Sequence, residues 1–241
     1  MAQWSFHTSM DYCLRKVEAM IRAVVFDMDG LMFDTERLCH DAVAQVGKEL
    51  GCPDLAEFTL ELMGRNEKEC IKRYTEYLGD RCSYQHFYAR RQEIIDAAIQ
   101  KNGVPVKPGL FELLDFLKEN GFLLAVATST SRRHALAYLE QTGAARYFHR
   151  MVFGDMLEKS KPNPDIYLKA AEELQVSPQN CMALEDSPLG IQSAHAAGMT
   201  AVMIPDLVQP DETLKQIYDD CVPSLFSVIE LLQRETREIE T

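Results

Sequence analysis

The sequence predicts an α/β fold in which a doubly wound parallel sheet carries an inserted α-helical domain after its first strand. Three observations lead there. From position 105 onward, short apolar runs alternate with stretches of ten or more residues of helical periodicity, the pattern of βαβ units and of a parallel sheet covered on both faces. The roughly seventy residues after the first apolar run keep a helical period throughout. The punctuation of "KNGVPVKPG", 101–109, then marks the return to the alternating part.

The first strand runs from Arg22 to Phe26, and the helical segment behind it offers Leu38, Val43, Val46 and Leu50 as one candidate face. Helices are expected at 109–119, 131–142, 163–175 and 188–197. Between them lie strands "FLLAVA" at 122–127, one near 151–153, "CMAL" at 181–184 and "TAVMI" at 200–204. The core is therefore assembled from 20–35 and 105–241, the helical insertion covers 36–104, and 1–19 form an N-terminal extension. Within that extension Tyr12, Val17 and Met20 are too sparse for a secure amphipathic helix. Because "MIRAVVFDMDG" begins the patterned part, residues 1–19 are expected to be dispensable, with Met20 as an alternative first residue.

Composition narrows the function classes. At 241 residues and 46% apolar content the chain can bury a substantial core. A net charge of −12 without a Lys/Arg cluster argues against a nucleic-acid partner. No apolar run approaches the eighteen or so residues of a membrane helix, and Asp11, Arg15, Lys16 and Glu18 break the apolar centre an export signal requires. Seven cysteines, at 13, 39, 52, 70, 82, 181 and 221, are odd in number and lack C-x-x-C spacing, which suggests reduced thiols in a cytoplasmic protein. A monomer is the default expectation.

The chemistry concentrates at the predicted strand ends, where ligands bind in open α/β sheets. "AVVFDMDGLMFD" ends the first strand in Asp27 and Asp29. Asp-Gly turn chemistry alone would explain that stretch, so the other strand ends decide. The second ends in "TSTS", Thr128 to Ser131, where hydroxyls and free backbone N–H groups at a helix start make either an anion seat or a plain N-cap. Past the third comes "KSKPNPD", whose two prolines fix the backbone around Lys161. The fourth ends in "EDSP": Ser187 as N-cap and Pro188 at N1 explain the helix start and leave Glu185 and Asp186 unexplained. Carboxylates, hydroxyls, a lysine and carboxylates on one sheet edge form a site for Mg²⁺ and phosphate. Asp27, Asp29 and Asp186 supply hard oxygen ligands, while Thr128, Ser129 with the neighbouring N–H groups, and Lys161 hold phosphoryl oxygens.

With these motifs in hand, "DMDG" followed by "LMFDTE", "ATST", "SKPNPD" and "LEDSPLGIQSAHAAG", the chain from Ile21 onward resembles the phosphohydrolases of the haloacid dehalogenase superfamily. The resemblance is to the subgroup of β-phosphoglucomutase and small-sugar phosphatases. It implies a Rossmann-like core with a helical cap, Mg²⁺ as cofactor, and a small phosphorylated metabolite as substrate. It further implies Asp27 as a nucleophile that forms an aspartyl-phosphate, Asp29 as general acid and then base, and Glu185 as a further metal ligand, direct or through water. Gly30 releases the backbone so that the carboxylates turn toward one metal.

Related dehalogenases and phosphonate hydrolases lack an Asp in the place of Asp29 and are disfavoured. A receiver-type signalling module is disfavoured too, because its acidic pair precedes the phosphorylated Asp, whereas Glu185 and Asp186 come last here. The cap is expected to set specificity, with Thr35, Glu36, His40, Arg65, Asn66, Lys68 and Lys72 as candidates. His134, His149 and His195 have no partner spacing. A phosphatase is favoured over a mutase. β-Phosphoglucomutases carry an Arg three residues after the cap Gly and a His five residues after the Asp of the Asp-Thr pair. Counting from Gly64 and Asp34 gives Glu67 and Cys39 here. The neighbouring Arg65 and His40 keep the mutase as the alternative. The leaving group stays open among hexose, polyol, nucleoside and pseudouridine phosphates.

Overall fold

The computed structural model describes residues 21–60, 62 and 67–240. The extension 1–19, Met20, Arg65 and Asn66 lie outside the described residues, as does the side chain of Lys68.

Six strands, β1 (Ala23–Phe26), β2 (Leu123–Thr128), β3 (Arg150–Phe153), β4 (Cys181–Glu185), β5 (Thr200–Met203) and β6 (Asp220–Cys221), form one sheet in the order β3-β2-β1-β4-β5-β6. Every pairing is parallel. The chain builds outward from β1 to β3 and then returns to lay β4 on the other side of β1. The strand order therefore reverses between β1 and β4, and a crevice opens beyond their carboxyl ends.

Alternation along the strands separates two unlike faces. Val24, Phe26, Leu124, Val126, Met182, Leu184 and Val202 fill one core, a bulky one. The opposite face is lined largely by small residues, Ala23, Ala125, Ala127, Ala183 and Ala201. That alanine floor leaves room for a whole Tyr167 ring, which is fully buried against it.

Nine helices are described: α1 (Thr35–Glu49), α2 (Leu55–Leu60), α3 (Glu67–Leu78), α4 (Tyr84–Asn102), α5 (Leu110–Glu119), α6 (Arg132–Thr142), α7 (Asp165–Leu174), α8 (Pro188–Ala196) and α9 (Leu225–Glu240). The insertion has an apolar cluster of its own, with Val43, Val46, Leu55, Tyr74, Leu78 and Phe87 at its centre. The predicted face of α1 divides: Val43, Val46 and Leu50 pack into this cluster, and Leu38 packs against the main core. Helix α4 spans both, since Phe87 belongs to the insertion's cluster while Ile95 and Ile99 join the main core. Where the chain leaves and re-enters the core the two linkers are tied together, Asp34 N donating to Pro105 O (2.8 Å) and Lys107 N to Met32 O (2.9 Å). Arg37, Lys107, Asp34 and Asp206 add an ion-pair network across the same junction.

Strand β6 and helix α9 lie beyond the sequence expectation. A two-residue strand has no period to read, and α9 secures its place by burying Leu225, Val228, Leu231 and Leu232 in the main core. No helix among the described residues is long and apolar enough to cross a membrane.

Candidate active site

Strands β1 and β4 end side by side, with Phe26 in register with Leu184. The residues that follow these two, Asp27 and Glu185, therefore emerge at the same level, and Asp186 comes one residue later. All three are buried, Glu185 completely, and each offers a carboxylate oxygen within 4.8 Å of the others. Repulsion at that range calls for positive charge. Lys161 supplies part of it. Its Nζ lies 2.6 Å from Asp27 Oδ1 and 2.6 Å from Glu185 Oε1, and its third donor goes to the Ala127 carbonyl at 3.2 Å.

Local structure explains why Lys161 points there. The "KPNP" segment is a turn closed by Asn163 N on Ser160 O (3.1 Å) and pinned to α8 by Ser193 Oγ on Asn163 O (2.6 Å). Glu185 is held from both sides: Tyr167 OH donates to Oε1 (2.6 Å), and Ser187 donates to Oε2 through Oγ (3.0 Å) and N (3.3 Å). Ser187 also caps α8 by accepting from Gly190 N, as its sequence context predicts. A Cβ at Gly190 would overlap the Glu185 carboxylate, so the helix can approach this closely only with glycine there. Gly30 has φ +84°, and a Cβ on it would overlap Asp186 Oδ2.

The electrostatics describe a centre short of cations. Burial, reinforced by Glu185 and Asp29, pushes the Asp27 pKa up to about 8 despite the opposing pull of Lys161. Burial, then Asp27 and Glu185, holds Asp186 well above the usual carboxylate value. For Lys161 burial works against the charge, but Asp27 and Glu185 outweigh it and hold the ammonium above the ordinary lysine value. Three carboxylates against one ammonium leave two negative charges, which a divalent cation would balance. Glu185 has both oxygens engaged by protein donors, whereas Asp186 accepts no hydrogen bond among the described residues. The donor set is all oxygen, as Mg²⁺ requires.

Asp29, expected among the metal ligands, points its carboxylate elsewhere. Its carboxylate is not part of the three-carboxylate group. It is taken instead by hydroxyls: Thr35 Oγ1 to Oδ1 (2.7 Å), and Thr130 Oγ1 (2.7 Å) and Thr128 Oγ1 (3.3 Å) to Oδ2. Thr35, expected as a cap contact to substrate, is buried and committed to Asp29. Thr128 is buried too and accepts from Thr130 N (3.0 Å). Ser129 is exposed, with no side-chain hydrogen bond among the described residues. Ser131 occupies the N-cap position of α6 without a capping bond. The α6 N-terminus is met instead by Asp155, which accepts from Arg132 N (3.1 Å).

Of the remaining candidates, Glu36 lies against the same loop, its Cγ 3.2 Å from where a Gly30 Cβ would be. Burial first, then Asp29, pushes its pKa up to about 7. His40 stands beside Asp41 at 3.8 Å, and Lys72 pairs with Glu76 on the surface. His149 is structural, accepting Leu124 N on Nδ1 (3.1 Å). Sequence reasoning missed Tyr167, Thr130 and Asp155; of these only Thr130 carried a signal, its place in the "TSTS" strand end. A cavity of about 330 Å³ opens between α4 and α6, lined by Asp96, Ile99, Arg133, His134 and Tyr138, and none of Asp27, Glu185 and Asp186 lines it.

Residues 24–204 match the family model described as "Haloacid dehalogenase-like hydrolase". Among curated relatives, the phosphorylated carbohydrates phosphatase of Thermotoga maritima is 35% identical over 186 residues, 76% of this chain and 84% of its own length. The β-phosphoglucomutase of Bacillus subtilis is 30% identical over 190 residues, 76% of this chain and 82% of its own length. Among solved structures, a mutant of CbbY from Rhodobacter sphaeroides in complex with xylulose-(1,5)bisphosphate superposes with a TM-score of 0.69 at 28% identity, covering 86% of this chain and 96% of that one.

Proposed function

The chain belongs to the haloacid dehalogenase-like hydrolases, and from that premise we propose that it is a Mg²⁺-dependent phosphatase of small phosphomonoesters, working through an aspartyl-phosphate on Asp27. The observation that carries the reading is the buried trio of Asp27, Glu185 and Asp186 around Lys161, at the point where the strand order reverses. The phosphatase among its relatives points the same way.

An Asp27 oxygen attacks phosphorus while the bond to the ester oxygen breaks, and Asp29 gives its proton to the departing alcohol. Asp29 then takes a proton from water, whose oxygen attacks the same phosphorus, releasing phosphate and restoring the Asp27 carboxylate. The threonines around Asp29 suit that cycle, because a hydroxyl both donates and accepts and keeps its contact in either protonation state. Lys161 neutralises charge beside Asp27, and Glu185, itself fixed by Tyr167 and Ser187, positions Lys161. Asp27 and Asp186 retain oxygens for Mg²⁺, which when bound supplies the missing positive charge beside the phosphoryl oxygens. Helices between 36 and 104 act as the cap, and 20–35 with 105–241 as the catalytic core. Six described cysteines are free, which supports a reducing, cytoplasmic setting.

The test is phosphate release from a panel of hexose, polyol and nucleoside phosphates with Mg²⁺, repeated after EDTA. Turnover that survives EDTA would contradict the reading. The 30% identity to a β-phosphoglucomutase favours the mutase alternative. β-Glucose 1-phosphate with a trace of its 1,6-bisphosphate separates the two: isomerisation without phosphate release would make the chain a mutase.

A further inference from the structure

Distance alone would let Glu185 bind a metal directly, since it offers an oxygen within 4.8 Å of those of Asp27 and Asp186. Lone pairs decide otherwise. An ionised carboxylate has about four acceptor sites on its two oxygens. On Oε1 one goes to Lys161 Nζ at 2.6 Å and one to Tyr167 OH at 2.6 Å. On Oε2 one goes to Ser187 Oγ at 3.0 Å and one to Ser187 N at 3.3 Å. The protein thereby fills Glu185, leaving Asp27 and Asp186 as the carboxylates with sites to spare.

Three of these donors have another reason to be there. Lys161 also serves Asp27, Ser187 Oγ caps α8, and the Ser187 N–H belongs to the backbone. The Tyr167 hydroxyl makes no other hydrogen bond among the described residues. Its ring is fully buried on the alanine floor, where a phenylalanine would pack as well and bring no polar atom to bury. The same ring stands beside the ammonium, its centroid 5.1 Å from Lys161 Nζ. The hydroxyl therefore has one task, closing the last acceptor site of Oε1, the oxygen that borders Lys161.

The number of available carboxylates discriminates between hard cations. Mg²⁺ is usually held by one or two and keeps waters in the rest of its octahedron, while Ca²⁺ takes about six to eight oxygens and gains from each added carboxylate. We propose that Tyr167 is a specificity-determining residue for the metal: by filling the last acceptor site of Glu185, its hydroxyl denies the centre a third carboxylate ligand and so favours Mg²⁺ over Ca²⁺. The inference rests on the reading of this centre as a Mg²⁺ site and adds what fixes the metal's identity.

The experiment measures Mg²⁺ and Ca²⁺ affinities of the full chain by calorimetry, without substrate. In Y167F, which keeps the ring, the ratio of Ca²⁺ to Mg²⁺ affinity should rise by about 10- to 100-fold, the usual size of an effect from a group that orients a metal ligand. Y167M also lacks the hydroxyl and adapts to the same space, so it serves as the test variant should Y167F not fold. Adding E185Q to Y167F should bring the ratio back toward wild type, because the recruited carboxylate is gone. A ratio that stays at the wild-type value in the folded single variants overturns the proposal, and so does one that stays raised in the double variant. A wild type that binds neither cation overturns the Mg²⁺ reading, and the proposal with it. Absence of phosphate release, which this measurement does not use, would overturn the phosphatase reading alone.

Discussion

The floor of the cleft and the helical insertion are built on opposite principles. On the floor the charges other than Asp186 are bound to protein partners: Lys161 spends all three donors, Glu185 both oxygens, and Asp29 is held by three threonines. Such a hydrogen-bonded network holds its geometry before substrate arrives, which phosphoryl transfer needs. On α4 of the insertion, by contrast, Arg91 has a buried Nε without a hydrogen-bond partner, between Phe87 and Ile95. The difference separates a floor that fixes its charged groups from an insertion that leaves a cation uncommitted. Floor substitutions should cost every substrate alike.

The largest effect is expected for Asp27→Asn, because a carboxamide is too poor a nucleophile to attack phosphorus. Turnover should fall by at least about 10⁴-fold on every ester while the fold persists; substantial activity in well-folded variant protein would break the division. Asp29→Ala should lower kcat by about 10²–10⁴-fold, the usual contribution of general acid–base catalysis. That loss should shrink with esters of good leaving groups, which need little proton donation; an equal loss on all leaving groups would deny Asp29 the acid role.

Much of this was legible in the sequence, and the reason is physical. Charge at the end of a buried strand is costly unless it has a task, so Asp27, Glu185 and Asp186 stand out from their apolar flanks. Lys161 stands out through the prolines around it. The parallel sheet followed from alternating period. Tyr167 and Arg91 were not legible: Tyr167 fits an apolar helix face, and only the alanine floor brings its hydroxyl to Glu185. Arg91 follows another arginine, and a charge pair on a helix reads as solvated surface until Phe87 and Ile95 are seen buried on either side. The threonine setting of the Asp29 carboxylate was not legible either, because spacing cannot show which way a carboxylate turns.

A smaller effect is expected from Asp186→Ala. Metal affinity, followed by calorimetry, should drop strongly. Stability of the metal-free protein should hold or rise, since one member of a repelling group is gone. A metal-free variant that is markedly destabilised would show that Asp186 supports the fold instead.

The smallest effect is in pH dependence. Asp27 and Asp186 bind protons more tightly in the folded chain than in the unfolded one, Asp27 rising from 3.8 to about 8. Between those values the native state holds more protons than the unfolded state, so stability of the metal-free protein should fall as pH rises through the window. Thermal unfolding from about pH 5 to about pH 8 checks the sign, and Mg²⁺ should raise the midpoint most at the upper end. A metal-free midpoint that climbs with pH would contradict the picture of a floor short of cations.

The central claim, that Asp27 carries the phosphoryl group between two half-reactions, is met most directly by acid-quenching the enzyme during turnover and mapping the phosphorylated peptide by mass spectrometry. The account expects a phosphoryl group on the Asp27 peptide in wild type, more of it in an Asp29 variant given an ester with a good leaving group, and none in Asp27→Asn. Steady phosphate release with that peptide unmodified, or with the label on another residue, would contradict it.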